Sequence, residues 1–239
     1  MKMTRKLIPA LVMLLVSAIM LSTASFAWFA SNGEVFANGM SVKVNSNAQF
    51  LEISNEDKAD WSNSASAKVT TSTTLDLIHA TINSDNKTFS WYKAAGATPG
   101  SSEAKEGTTE PVTNLSGYAR VDKFNLRMSS GSQTALTNVK VSAISVTGKI
   151  GVDEKLANAL RVLVVGSNGI AEIWTNESGT FKPLSNDGAK VLCETVPYDA
   201  AEITVYIYFD GESNYAYTNN ASLASIQDAV SVSITFVAN

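Results

Sequence analysis

The amino-acid sequence predicts an all-β fold: a two-layer antiparallel β-sandwich, jelly-roll-like, with one or two short helices and an N-terminal hydrophobic leader helix. Three observations predict it. Apolar and polar residues alternate with period two over most of the chain after Gly33. The last ten residues, VSVSITFVAN, place Val230, Val232, Ile234 and Phe236 on one face and Ser231, Ser233 and Thr235 on the other, as in a strand with one buried face. Only 17% of residues are charged while 45% are apolar, which is enough apolar surface to fold around a core.

Taken in order, SVKVNS (41–46) alternates and FLEIS (50–54) follows it. TLDLIHATI (74–82) reads as one strand, with Leu75, Leu77, His79 and Thr81 on one face and Asp76, Ile78, Ala80 and Ile82 on the other. Both faces are apolar, as expected of a central strand. FSWYKA (89–94) is a short aromatic strand. Residues 95–117 are dense in Gly, Pro, Ser and Thr and read as a long exposed loop inserted in one domain that covers residues 28–239. YARVDKFNLRMSS (118–130) puts Phe124, Leu126 and Met128 on one face. NVKVSAISVTGK (138–149) alternates through Val139, Val141 and Ala143, then changes phase to Ile144 and Val146, which implies a β-bulge or a bend. DEKLANAL (153–160) has the Leu156–Leu160 spacing of a helix with acids in its first turn. RVLVVG and AEIWTN follow as two apolar strands joined through SNG, and EITVYIYFDG (202–211) alternates with aromatics. SLASIQDA (222–229) reads as a second short helix. The sum is about ten strands.

The first 27 residues differ from the rest. Lys2, Arg5 and Lys6 precede an uncharged run from Leu7 to Ala27, and Ser25 and Ala27 fit the small-residue positions before a cut at Trp28. Residues 1–27 are therefore a signal peptide or an N-terminal membrane anchor, since the run is long enough to span a bilayer. Either way the remainder lies outside the cytoplasmic membrane, extracellular or on the cell surface, reached by the general secretory route with a signal peptidase as a partner. After Ala27 the chain carries 15 Lys and Arg against 22 Asp and Glu, a formal −7. That balance, with no basic stripe, speaks against nucleic acid. The single cysteine, Cys193 in KVLCET, excludes an internal disulfide and cysteine-based zinc spacings, and its apolar neighbours imply burial.

Candidate chemistry is sparse. The single histidine, His79, falls within a predicted strand and is the one residue through which a Ser-His-Asp triad can run; a core or groove histidine is the simpler reading. Carboxylates occur close together at Glu56, Asp57 and Asp60, at Asp153 and Glu154, and at Asp210 and Glu212, without a sign that any two face each other across a cleft. NSDN (83–86) and NEDKAD (55–60) offer oxygen ligands but lack the spacing of a calcium loop. Trp61, Trp91, Trp174, Tyr92, Tyr206, Tyr208 and Tyr215 are candidates for stacking on sugars, with cross-strand packing as the plainer role. Asn86, Asn114, Asn176 and Asn220 lie in glycosylation sequons. No cofactor or metal is expected.

STASFAWFASN followed by GEVFANGMSVKV, then DKFNLRMSSGSQTALTNVKVSAISV, and finally ITVYIYFDGES and VSVSITFVAN, together resemble the TasA/camelysin-like secreted proteins of Gram-positive Firmicutes, whose leaders are processed by SipW-type signal peptidases. The resemblance implies a jelly-roll subunit of extracellular biofilm-matrix fibres, in which the new N-terminus of one subunit adds as a strand to the next. Here that role falls on the stretch from Trp28 to Ala37, with Trp28, Phe29, Val35 and Phe36 as the donated side chains. A head-to-tail contact of this kind generates filaments. The camelysin branch implies protease activity, and the single histidine departs from what a histidine-based metalloprotease needs. The expectation is a non-enzymatic structural protein that self-associates, with a cell-surface adhesin or glycan-binding module as the alternative and a secreted hydrolase as a remote one.

Overall fold

The computed structural model describes residues 35–37, 41–46, 50–66, 73–96, 108–130, 132, 135–147, 155–185, 187–216 and 231–239. The leader and the segment read as a helix at 222–229 lie outside the described residues. What is described is all-β, with one short 3-10 helix, Lys155–Ala159.

The strands run in chain order as β1 (Val35–Ala37), β2 (Ser41–Ser46), β3 (Leu51–Asn55), β4 (Ser64–Ser66), β5 (Thr73–Leu75), β6 (His79–Ile82), β7 (Phe89–Ala94) and β8 (Thr109–Val112). They continue as β9 (Ala119–Met128), β10 (Thr137–Thr147), β11 (Leu160–Val165), β12 (Ala171–Glu177), β13 (Thr180–Pro183), β14 (Cys193–Thr195), β15 (Ala201–Phe209) and β16 (Ser231–Val237). Four sheets result. One has five strands in the order β14-β10-β16-β2-β4, and another has six in the order β13-β12-β11-β15-β9-β3. A three-stranded sheet runs β6-β7-β8, and β1 pairs with β5 alone.

The two large sheets share one core. Val42, Val44, Val141, Val232, Ile234 and Phe236 of the first join Ile53, Phe124, Leu126, Val162, Ile203 and Val205 of the second in a single buried cluster. The alternation that predicts β16 is realised at Val232, Ile234 and Phe236, all completely buried, with Ser233 and Thr235 half-buried between them, while Val230 lies outside the described residues. Completely burying three such side chains contributes about 1.5–3 kcal/mol each. The phase change in β10 is a register shift between Val141 and Ala143, which face Phe236 and Thr235 of β16. The bulge lets Val141 and Ile144, on opposite phases of the strand, both reach the core.

The three-stranded sheet adds a cover that two layers do not include. It packs through Ala80 and Trp91, with Ile78 just before β6, onto Leu163, Ala171, Ile173 and Tyr208 of the six-stranded sheet. Strands β11 and β12 are thus buried on both sides, which is why RVLVVG and AEIWTN read as continuous apolar runs. Their hairpin closes through Gly166 and Gly169, whose φ is +79°, with the Gly166 N–H donating to the Ile170 carbonyl at 2.8 Å. Trp91 meets Tyr208 edge-on at 5.0 Å and lies 5.6 Å from Tyr206.

Four expectations need correction. Residues 74–82 are not one strand: β5 ends at Leu75 and β6 begins at His79. The break arises because the Asp76 N–H donates to the Gly117 carbonyl and the Ile78 N–H to the Phe209 carbonyl, so two other segments capture the backbone. Nor is 95–117 wholly a loop. Thr109–Val112 pairs with β7 as an edge strand that tolerates Pro111, and Val112 and Leu115 pack on the outer cluster. The segment read as a helix over 153–160 holds a single 3-10 turn without an acid in its first turn. Finally, β2 and β16 pair in parallel. They come from opposite ends of the described chain, so no tight turn forces them antiparallel.

Candidate functional site

Two places hold the residues that sequence reasoning marks for function. The first is the N-terminal segment. Ser25, Ala27, Trp28 and Phe29 lie outside the described residues. Val35 and Phe36 belong to β1, which runs antiparallel to β5 with Val35 opposite Leu75, Phe36 opposite Thr74 and Ala37 opposite Thr73. This sheet has two strands and joins neither large sheet. The anchor is on the β5 side, where Leu75 is completely buried in the main core.

The second place is His79, the first residue of β6, opposite Tyr92 of β7. Its Nδ1 lies 2.8 Å from Oδ1 of Asp210, and its Nε2 lies 3.4 Å from Oε2 of Glu212. Asp210 follows the last residue of β15 and forms a parallel bridge with Ile78. Its Oδ2 lies 3.3 Å from Nε of Arg161 on β11. The Glu212 N–H donates to Asp210 Oδ1 at 3.0 Å, closing the turn that presents both acids. Burial pushes the imidazole down, but the hydrogen bond and charge of Asp210, with the charge of Glu212, outweigh burial and the opposing Arg161, so its pKa stands above the ordinary 6.5. Beneath this group the Tyr208 hydroxyl is driven well above its ordinary pKa, first by burial and then by the charge of Asp210.

No protein-family model, curated protein or solved structure matches the chain.

The geometry decides several chemical readings. Asp210 and Glu212 are brought together, but they flank one imidazole instead of facing each other across an open space. The nitrogen through which a triad histidine would activate a serine is Nε2, and it faces the Glu212 carboxylate. Asp210 and Glu212 sit on different ring nitrogens, so one ion cannot take both acids together with the ring. Among the described residues no group of three or more His, Cys, Asp or Glu is placed to hold a metal ion.

The remaining candidates have structural work. Glu56, Asp57 and Asp60 are exposed, and Asp153 and Glu154 lie outside the described residues. In the NSDN turn, Asp85 accepts the Lys87 and Thr88 N–H groups at 2.9 Å, and these backbone hydrogen bonds hold its carboxyl below the ordinary range. Trp91, Trp174 and Tyr208 are buried, which removes them as sugar-stacking platforms. Trp61 carries the Arg127 guanidinium over its ring at 4.2 Å, and Arg127 in turn pairs with Glu52 at 2.8 Å. Tyr92 and Tyr206 are half-buried, and Tyr215 is exposed. Asn176 is buried, donating to the Ala157 carbonyl and accepting from the Gly179 N–H, so its sequon is closed in the folded chain. Cys193 is buried, as its neighbours imply. Arg161 and the buried Glu172 escape sequence reasoning: a lone charge inside an apolar strand is the signal each leaves.

Proposed function

We propose that this protein is a secreted or cell-surface structural protein, a subunit of an extracellular matrix or biofilm fibre that assembles by N-terminal strand addition. In this reading the two large sheets are the layers of a jelly-roll-like sandwich, and the protein is not an enzyme. The observation that carries it is the pairing of β1. From Val35, six positions after Phe29, the chain pairs with β5 over three residue pairs and with no other described strand. Three cross-strand pairs at about 0.2–1 kcal/mol each make a weak tether. An identical strand from a second copy offers the same hydrogen bonds to β5, and Trp28 and Phe29 add apolar surface to the exchange. Each copy then gives a strand and receives one, an open head-to-tail contact that propagates.

The test starts from residues 28–239, concentrated and imaged by electron microscopy beside residues 38–239. Fibres are expected from the first and not from the second. A Phe36→Cys, Thr74→Cys pair reads the exchange directly, because the two positions are opposite each other in β1 and β5. Oxidised during assembly, it yields a covalent ladder on a non-reducing gel. Monomers under all conditions, or fibres that form equally well without residues 28–37, sink the reading.

A further inference from the structure

We propose that His79, Asp210, Glu212 and Arg161 form a proton-operated clamp that holds the β6 edge of the three-stranded sheet to the end of β15 and lets go when the imidazolium loses its proton. The argument begins with donor counting. Both ring nitrogens face carboxylates, at 2.8 Å and 3.4 Å. A neutral imidazole has one N–H, so one of the two acids is left facing a lone pair; only the doubly protonated ring donates to both. Charge counting agrees. Two carboxylates, of which Asp210 pairs with Arg161, outnumber that one guanidinium, and the imidazolium brings the quartet to neutrality. Tyr92 is the residue opposite His79 on β7, and the other charged groups facing the ring come from β11 and the Asp210–Glu212 turn.

The position makes the proton matter. Beside the clamp, Ile78 donates its N–H to the Phe209 carbonyl at 3.0 Å and accepts from the Gly211 N–H at 3.1 Å. The rest of this sheet's attachment to the six-stranded sheet is largely apolar. The other charged groups at this contact are Lys93, paired with Glu110 and set over the Tyr118 ring, and Lys190, bonded to Asn86; Lys93 and Tyr118 are both pushed above their ordinary alkaline values, so the quartet holds the group poised to titrate near neutrality. The imidazole pKa is higher folded than unfolded, mainly through Asp210 against the cost of burial. The clamp's contribution is therefore complete below the unfolded value of 6.5 and is lost as pH rises through the folded value. Mildly acidic surroundings close it and alkaline surroundings release it.

His79 is the single histidine of the chain, so its ring gives one assignable imidazole resonance. Titrating the full chain by proton NMR is expected to give a midpoint above 6.5, lowered in Glu212→Gln and lowered further in Asp210→Asn. In parallel, amide exchange of β6, corrected for intrinsic rates and referred to β11, is expected to quicken severalfold from about pH 6 to about pH 9 in the wild type and to stay flat in His79→Gln. If Asp210→Asn does not fold, Glu212→Gln carries the titration. A midpoint at or below 6.5 overturns the proposal. So does a raised midpoint with pH-independent exchange of β6, because the proton would then be bound without holding anything.

Discussion

Gly166 shows what one hydrogen atom is worth. A Cβ at this position would meet the Leu192 carbonyl oxygen at 2.0 Å, and that oxygen belongs to backbone that cannot swing aside. Gly166→Ala is expected to destabilise by about 1–3 kcal/mol, read as a lower urea midpoint. Glu172 makes a complementary case. Its two oxygens accept separately from the Trp174 indole N–H and the Lys190 N–H, each at 2.9 Å, while burial raises its pKa against those bonds. Removing the charge does not help the protein, because a glutamine turns one acceptor into a donor facing a donor. Glu172→Gln is expected to cost about 1–3 kcal/mol in the same assay. At this scale the sequence is least informative. His79 and Asp210 are 131 positions apart, and no local pattern announces that they share a hydrogen bond. Cys193 is the opposite case, because its apolar neighbours alone imply the burial it has.

At the scale of elements, legibility follows from where the hydrogen bonds go. β16 and β10 are legible because one face of each meets the core and the alternation survives, bulge included. The interruption at Asp76–Ile78 is hidden because its cause lies in Gly117 and Phe209, far along the chain. β8 is hidden for another reason: an edge strand needs few apolar residues, so its Pro and Thr content resembles a loop. Asn138 offers a test at this scale. It sits in β10 with φ at +56°, between two residues that pair with β14. Asn138→Val is expected to cost about 1–2 kcal/mol and Asn138→Gly close to nothing, measured by thermal unfolding.

For the whole molecule, the last strand matters most. β16 lies between β10 and β2 in the five-stranded sheet, and its three completely buried side chains account for an energy comparable with the stability of a typical domain. Removing residues 231–239 is expected to abolish cooperative unfolding, seen as the loss of a sigmoidal denaturation curve. The parallel register of Val42 with Val232 and Val44 with Ile234 also sets an order of events in time. β2 waits for β16 before it has a neighbour on that side. A chain emerging from a ribosome therefore cannot complete this sheet until residues 231–237 are made. Until then β2 and β10 have no strand between them, so the five-stranded sheet closes as a single late event.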